Sequence, residues 1–127
     1  RRSLPRNVVL TGFLPEADHW RLLGTSDAVL DLTTMDNCLV CGAYEAIAAG
    51  VPLILSDNAS SVSIFGAFGE FTSNRCADIV LALKRVRQRH AELIAGMPAA
   101  RNQLESRWAA QARELLAFIE SAGTKRG

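Results

Sequence analysis

At 127 residues, the chain is long enough for one domain with a real core and too short for two. Hydrophobic residues make up 49% and charged residues 21%, as in ordinary globular domains, and a formal charge of +1 implies no bulk attraction to nucleic acid or anionic membrane. Apolar runs reach only five residues, as in Val51 to Leu55 with its Pro52, so no segment reads as a membrane span or a secretory leader.

In chain order, Asn7 to Thr11 (N-V-V-L-T) reads as a short buried strand closed by Gly12 and Pro15. Glu16 to Leu23 reads as a helix with acids in its first turn. Asp27 to Leu32 is the second expected strand, Gly42 to Ala49 a helix stopped by Gly50, and Pro52 to Leu55 a third strand. Ser56 to Ser63 has loop composition, and Gly69 to Thr72 reads as a short fourth strand. Two helices, Cys76 to Ile94 and Pro98 to Ser121, are expected to close the chain, separated by Gly96 and Pro98. The run Lys84, Arg85, Arg87, Arg89 reads as a solvated helix face, His19 as a half-buried structural histidine, and Trp108 as core.

Strands alternating with helices predict an α/β fold: a Rossmann-like three-layer domain with a mostly parallel sheet, ending in two C-terminal helices. Ligands of such sheets sit beyond the carboxyl ends of the strands, which directs attention to the segments after Thr11, Leu32, Leu55 and Thr72. After the second strand, a polar loop enters a small-residue helix through Gly42. Unpaired N–H groups in the first turn of such a helix suit a diphosphate. Glu45 is the single charge inside that helix, one turn in, where a carboxylate can accept hydrogen bonds from a ribose diol or simply stabilise the helix N-terminus.

Cys38-Leu-Val-Cys41 is a C-x-x-C at a helix start, the position of a thioredoxin-type dithiol or half a zinc site. No second Cys/His pair accompanies it, and the odd count of three cysteines fits reduced packing residues and a cytoplasmic setting.

The segment E-A-I-A-A-G-V-P-L-I-L-S-D (Glu45 to Asp57) resembles the motif E-A-M-A-x-G-x-P-V-V-x-S-D of the family 4, or group 1, glycosyltransferases. N-V-V-L-T-G-F-L-P-E (Asn7 to Glu16), S-D-A-V-L-D-L-T-T (Ser26 to Thr34), Asp78 to Val86 and the helix around Trp108 resemble its flanking motifs in order and spacing. The resemblance covers nearly the whole chain. It implies a two-domain (GT-B) enzyme without metal or other cofactor. Residues 1–127 would then be part of its C-terminal nucleotide-sugar-binding domain, and the N-terminal acceptor domain would lie outside this segment. The opening Arg-Arg-Ser-Leu-Pro, without methionine, is read as the start of such a fragment.

The implied activity is hexosyl transfer from a nucleotide sugar to a glycan or lipid acceptor, as in polysaccharide, glycan or glycolipid synthesis. The fragment alone is expected to be inactive. The implied location is the cytoplasm, or the cytoplasmic face of a membrane for the full-length enzyme, with no nucleic-acid partner.

By residue, the resemblance places Glu45 on the ribose hydroxyls and Cys41, Gly42 and Ala43 by the phosphates, with Gly12 and Phe13 near the base. The first glutamate of the family's E-x7-E motif is replaced by Asn37, so the sugar is met either by the Asn37 amide or by Asp36. Two alternatives stand beside this reading: a non-transferring relative such as a sugar epimerase, and the dithiol oxidoreductase. A noncatalytic nucleotide-binding or interaction module is a third.

Overall fold

The computed structural model describes residues 4–124. These form a small α/β domain in the order α1 (Glu16–Gly24), β1 (Val29–Asp31), α2 (Cys41–Ala49), β2 (Leu53–Ser56), α3 (Ala59–Phe65), β3 (Gly69–Thr72) and α4 (Cys76–Thr124). The three strands make one parallel sheet in the order β1-β2-β3, with Val29 beside Leu53 and Leu53 beside Gly69. Cross-strand partners share a face and successive residues alternate, so the register assigns every side chain to a layer. Val29, Leu53, Leu55 and Phe71 face Ala43, Ala46 and Ile47 of α2 and Phe65 of α3. Ile54 faces the opposite way, onto Ala82, Val86 and Leu93 of α4. Strand β2 is buried at all four positions because helices cover both faces, which is why it reads as an unbroken apolar run.

Helix α2 lies close to the sheet because its inward positions are small: Ala43 and Ala46 have no exposed surface. It ends as Gly50 takes a left-handed φ of 76°, while Val51 N–H reaches the Ala46 carbonyl at 2.9 Å and Gly50 N–H that of Ile47 at 3.1 Å. This is the paired-bond termination that satisfies the last carbonyls of a helix and favours glycine. Arg101 donates to the Ala48 carbonyl at the same end.

The expected β1, α2, β2 and β3 are all present, and four other expectations are corrected. Residues 7–11 form no strand: Val8 N–H bonds to the Pro5 carbonyl at 3.0 Å, and Val9 and Leu10 are 80% and 77% exposed. A strand exists only where another offers ladder partners, and the described sheet presents none to this segment. Ser56 to Ser63 is not a loop throughout, since α3 begins at Ala59, with Asn58 Oδ1 accepting from Ser61 N–H at 2.8 Å. Its polar composition is that of a capped helix start, and fully buried Phe65 anchors its other end.

The two closing helices are one, α4, with Pro98 inside it. Pro98 and Gly96 lie on the exposed side, while Leu93, Met97 and Ala100 are buried on either side of them. Packing on both flanks thus holds a helix that its sequence alone would interrupt. Trp108 is not core: α4 runs past the sheet and leaves the indole 73% exposed.

Candidate functional site

Helix α2 links the parallel strands β1 and β2, so its N-terminus, and the segment before it, lie toward the carboxyl edge. Two polar side chains and the backbone of Thr33 tie the strand ends together there. Thr33 N–H donates to Ser56 Oγ, Ser56 Oγ–H to Asn74 Oδ1, and Asn74 Nδ2–H to the Thr33 carbonyl, each at 2.8 Å. Asn74 adopts a left-handed φ of 66°, a conformation asparagine tolerates better than most residues. Beyond this closed ring lies an open polar crevice of about 450 Å³, whose walls include Thr34, Asp36, Asp57 and Asn58. Asp36 therefore belongs to the carboxyl-edge crevice, whereas Asn37, exposed and at φ 58°, does not line it.

At the start of α2, Val40 is the N-cap residue and supplies no side-chain cap. Cys41 is exposed, and Gly42 lies so close to the Asp31 carboxylate that a Cβ on residue 42 would collide with it. A carboxylate beside a helix N-terminus is electrostatically favourable, so Asp31 already complements the partial positive charge expected to meet a diphosphate. Ala43 has no exposed surface, and its N–H bonds to the Val40 carbonyl at 3.3 Å. Cys38 and Cys41 are both free thiols.

One turn further, Glu45 Oε2 lies 3.2 Å from Nε2 of His19, which α1 brings across by packing on α2. The two side chains are 41% and 47% exposed. The His19 ring sits edge-on to Trp20, with centroids 5.9 Å apart. His19 also lines an open hollow of about 620 Å³ with Gly12, Phe13, Leu14 and Leu22. Gly12 takes a left-handed φ of 62°, and the Phe13 ring is fully exposed.

The structure thus places Gly12, Phe13 and His19 in one hollow, brings Glu45 to it through His19, and sets Asp36 among the strand ends. The expected roll did not include His19, Asp31, Ser56 or Asn74. For His19 the signal was its spacing within an amphipathic helix that precedes a strand. Ser56 lies within the segment Glu45 to Asp57 that carries the resemblance, whereas no local pattern marks Asp31 or Asn74, because each acts on a separate element.

Among the described residues, no group of three His, Cys, Asp or Glu side chains is placed to hold a metal ion, and no helix is long and apolar enough to cross a membrane. No protein-family model matches the chain, and neither a curated protein nor a solved structure matches it significantly.

Proposed function

We propose that this domain binds the nucleotide of an activated sugar at the carboxyl edge of its sheet and serves a glycosyl transfer enzyme. The observation that carries the proposal is Glu45, a partly exposed carboxylate in the second turn of α2, paired with His19, which lines the hollow of Gly12 and Phe13. A carboxylate so placed accepts hydrogen bonds from the 2′- and 3′-hydroxyls of a ribose, and an exposed Phe13 ring offers a face for a base. The resemblance of Glu45 to Asp57 to the group 1 glycosyltransferase motif supports the same assignment. Asp36 in the crevice then has the better position of the two candidates for the sugar hydroxyls.

Asp31 beside Gly42 modifies the expected chemistry. Its negative charge leaves the α2 N-terminus a weaker attractor for a diphosphate. Cationic side chains from outside this segment, including an acceptor-binding domain, would then neutralise the leaving diphosphate. That electrostatic stabilisation is the main catalytic contribution in such a transfer.

Calorimetric titration of the full-length protein with UDP-, GDP-, ADP- and TDP-sugars tests the reading. One nucleotide should bind preferentially, and Glu45→Ala should weaken it about tenfold or more. Equal affinities in the two proteins would refute the role of Glu45.

A further inference from the structure

We infer that His19 is a positioning residue for Glu45, fixing the carboxylate so that one oxygen is presented to the ribose. This rests on the reading of Glu45 as the ribose ligand.

The helix that carries Glu45 does not itself orient the carboxylate. At i±3 and i±4 along α2 stand Cys41, Gly42, Ala48 and Ala49, of which only the Cys41 thiol is a donor, and a weak one; the side-chain hydrogen bond that Glu45 makes goes to His19 instead. A glutamate left to itself on such a surface samples many rotamers, and freezing them on binding weakens the complex. His19 removes that freedom from a different element. Its Nε2 lies 3.2 Å from Oε2, an arrangement that requires a proton on Nε2 opposite the carboxylate. Among the described residues, no protein group hydrogen-bonds the other oxygen, Oε1.

The imidazole is itself held in place. The Trp20 ring meets it edge-on, and the packing of α1 on α2 fixes the distance between the two backbones. Asp18, the neighbouring acid on α1, is engaged by Arg21 at 2.9 Å and does not compete for His19. His19 lies on the wall of the same hollow as Gly12 and Phe13, so the device sits where the nucleoside would enter.

The test compares UDP, GDP and ADP with their 2′,3′-dideoxy counterparts on wild type, His19→Leu, His19→Gln and Glu45→Ala, all in the full-length protein. Wild type should favour the ribonucleotide of its preferred base by about tenfold. His19→Leu should collapse that ratio towards one without weakening the dideoxynucleotide. His19→Gln, which keeps an N–H donor near the same place, should restore most of the ratio. If Glu45→Ala loses the ratio and His19→Leu keeps it, the positioning role is overturned while the Glu45 assignment stands. If Glu45→Ala keeps the ratio, the Glu45 reading falls first. Equal weakening of both ligands by His19→Leu would mark a general structural role and overturn the inference. Should His19→Leu fail to fold, His19→Ala, which also lacks the donor, is read by the same outcomes.

Discussion

Arg85 grips Glu70 across the sheet-helix interface: Nε donates to Oε2 at 2.6 Å, and Nη2 donates to the neighbouring Phe71 carbonyl at 2.9 Å. Arg89, one turn along α4, donates to Oε1 of the same carboxylate at 2.6 Å. Glu70 is 7% exposed and therefore depends on these partners, whereas both arginines retain contact with water. Glu70→Ala should cost about 2 kcal/mol in urea unfolding, because two guanidinium groups lose their counter-charge but can turn to solvent. Arg85→Ala should cost more than Arg89→Ala, since only Arg85 also satisfies the Phe71 carbonyl; the reverse order would deny that bond any net contribution. Sequence periodicity places this basic run on an exposed helix face, and half of each arginine is indeed there. The acid that recruits the other half stands on a strand, fifteen and nineteen residues earlier, where no local pattern links them.

Gly42 is constrained by Asp31 rather than by its own backbone. A methyl at residue 42 would meet the Asp31 carboxylate, so Gly42→Ala should destabilise by about 1–3 kcal/mol. Asp31→Ala opens the space, and the double variant should cost clearly less than the sum of the two single changes. Additive costs from chemical denaturation would mean that the carboxylate simply swings away. Gly42 was legible in the sequence as a special residue at a helix start. The reason legible there was access for a phosphate, whereas the structure supplies an internal acid 11 positions earlier, at the end of β1.

Pro98 interrupts the backbone ladder of α4 at an exposed position without ending the helix. Proline inside a helix forfeits one hydrogen bond and crowds the preceding turn. Replacement by alanine should therefore raise the thermal midpoint, with a gain of about 1–2 kcal/mol after the greater freedom of the unfolded chain is deducted. A lower midpoint would show that the proline's geometry is needed to carry α4 from Leu93, against Ile54, to Met97 and Ala100, in the core beneath α2 and α3. The sequence rule that proline separates helices fails here because burial on both sides outweighs the local cost. A single-sequence pattern contains no measure of that burial.

The Arg89–Glu92 pair gives the acid limb of stability a predictable shape. Hydrogen bonding and charge attraction from Arg89, with contacts of 2.7 and 3.1 Å, hold the Glu92 carboxyl below the usual carboxylate range. A depressed folded-state pKa contributes stability that is fully present above the unfolded value, about 4.3, and is lost as pH falls through the folded value. Glu92→Gln should therefore flatten the fall in stability below about pH 4.3, leaving the slope above it unchanged. The pair is solvent-exposed, so the difference between the two proteins should shrink in about 1 M salt. An identical acid limb for both would show that the pair forms equally in the unfolded chain.

The two halves of α4 should respond very unequally to truncation of large side chains. Leu93 is 6% exposed against Ile54, and Leu93→Ala should cost about 3 kcal/mol through lost burial and the cavity left behind. Trp108, Leu115 and Phe118 continue a helical apolar stripe yet are 73%, 60% and 69% exposed. Trp108→Ala and Phe118→Ala should each stay within about 0.5 kcal/mol, because the described fold removes little of their surface from water. Periodicity makes the stripe visible in sequence but carries no information on whether anything covers it, which is why Trp108 reads as core. A cost near that of Leu93→Ala at Trp108, rising with protein concentration, would mean that a second surface buries this stripe in solution. Denaturation at two protein concentrations distinguishes the outcomes, since an intramolecular contribution is independent of concentration and an intermolecular one is not.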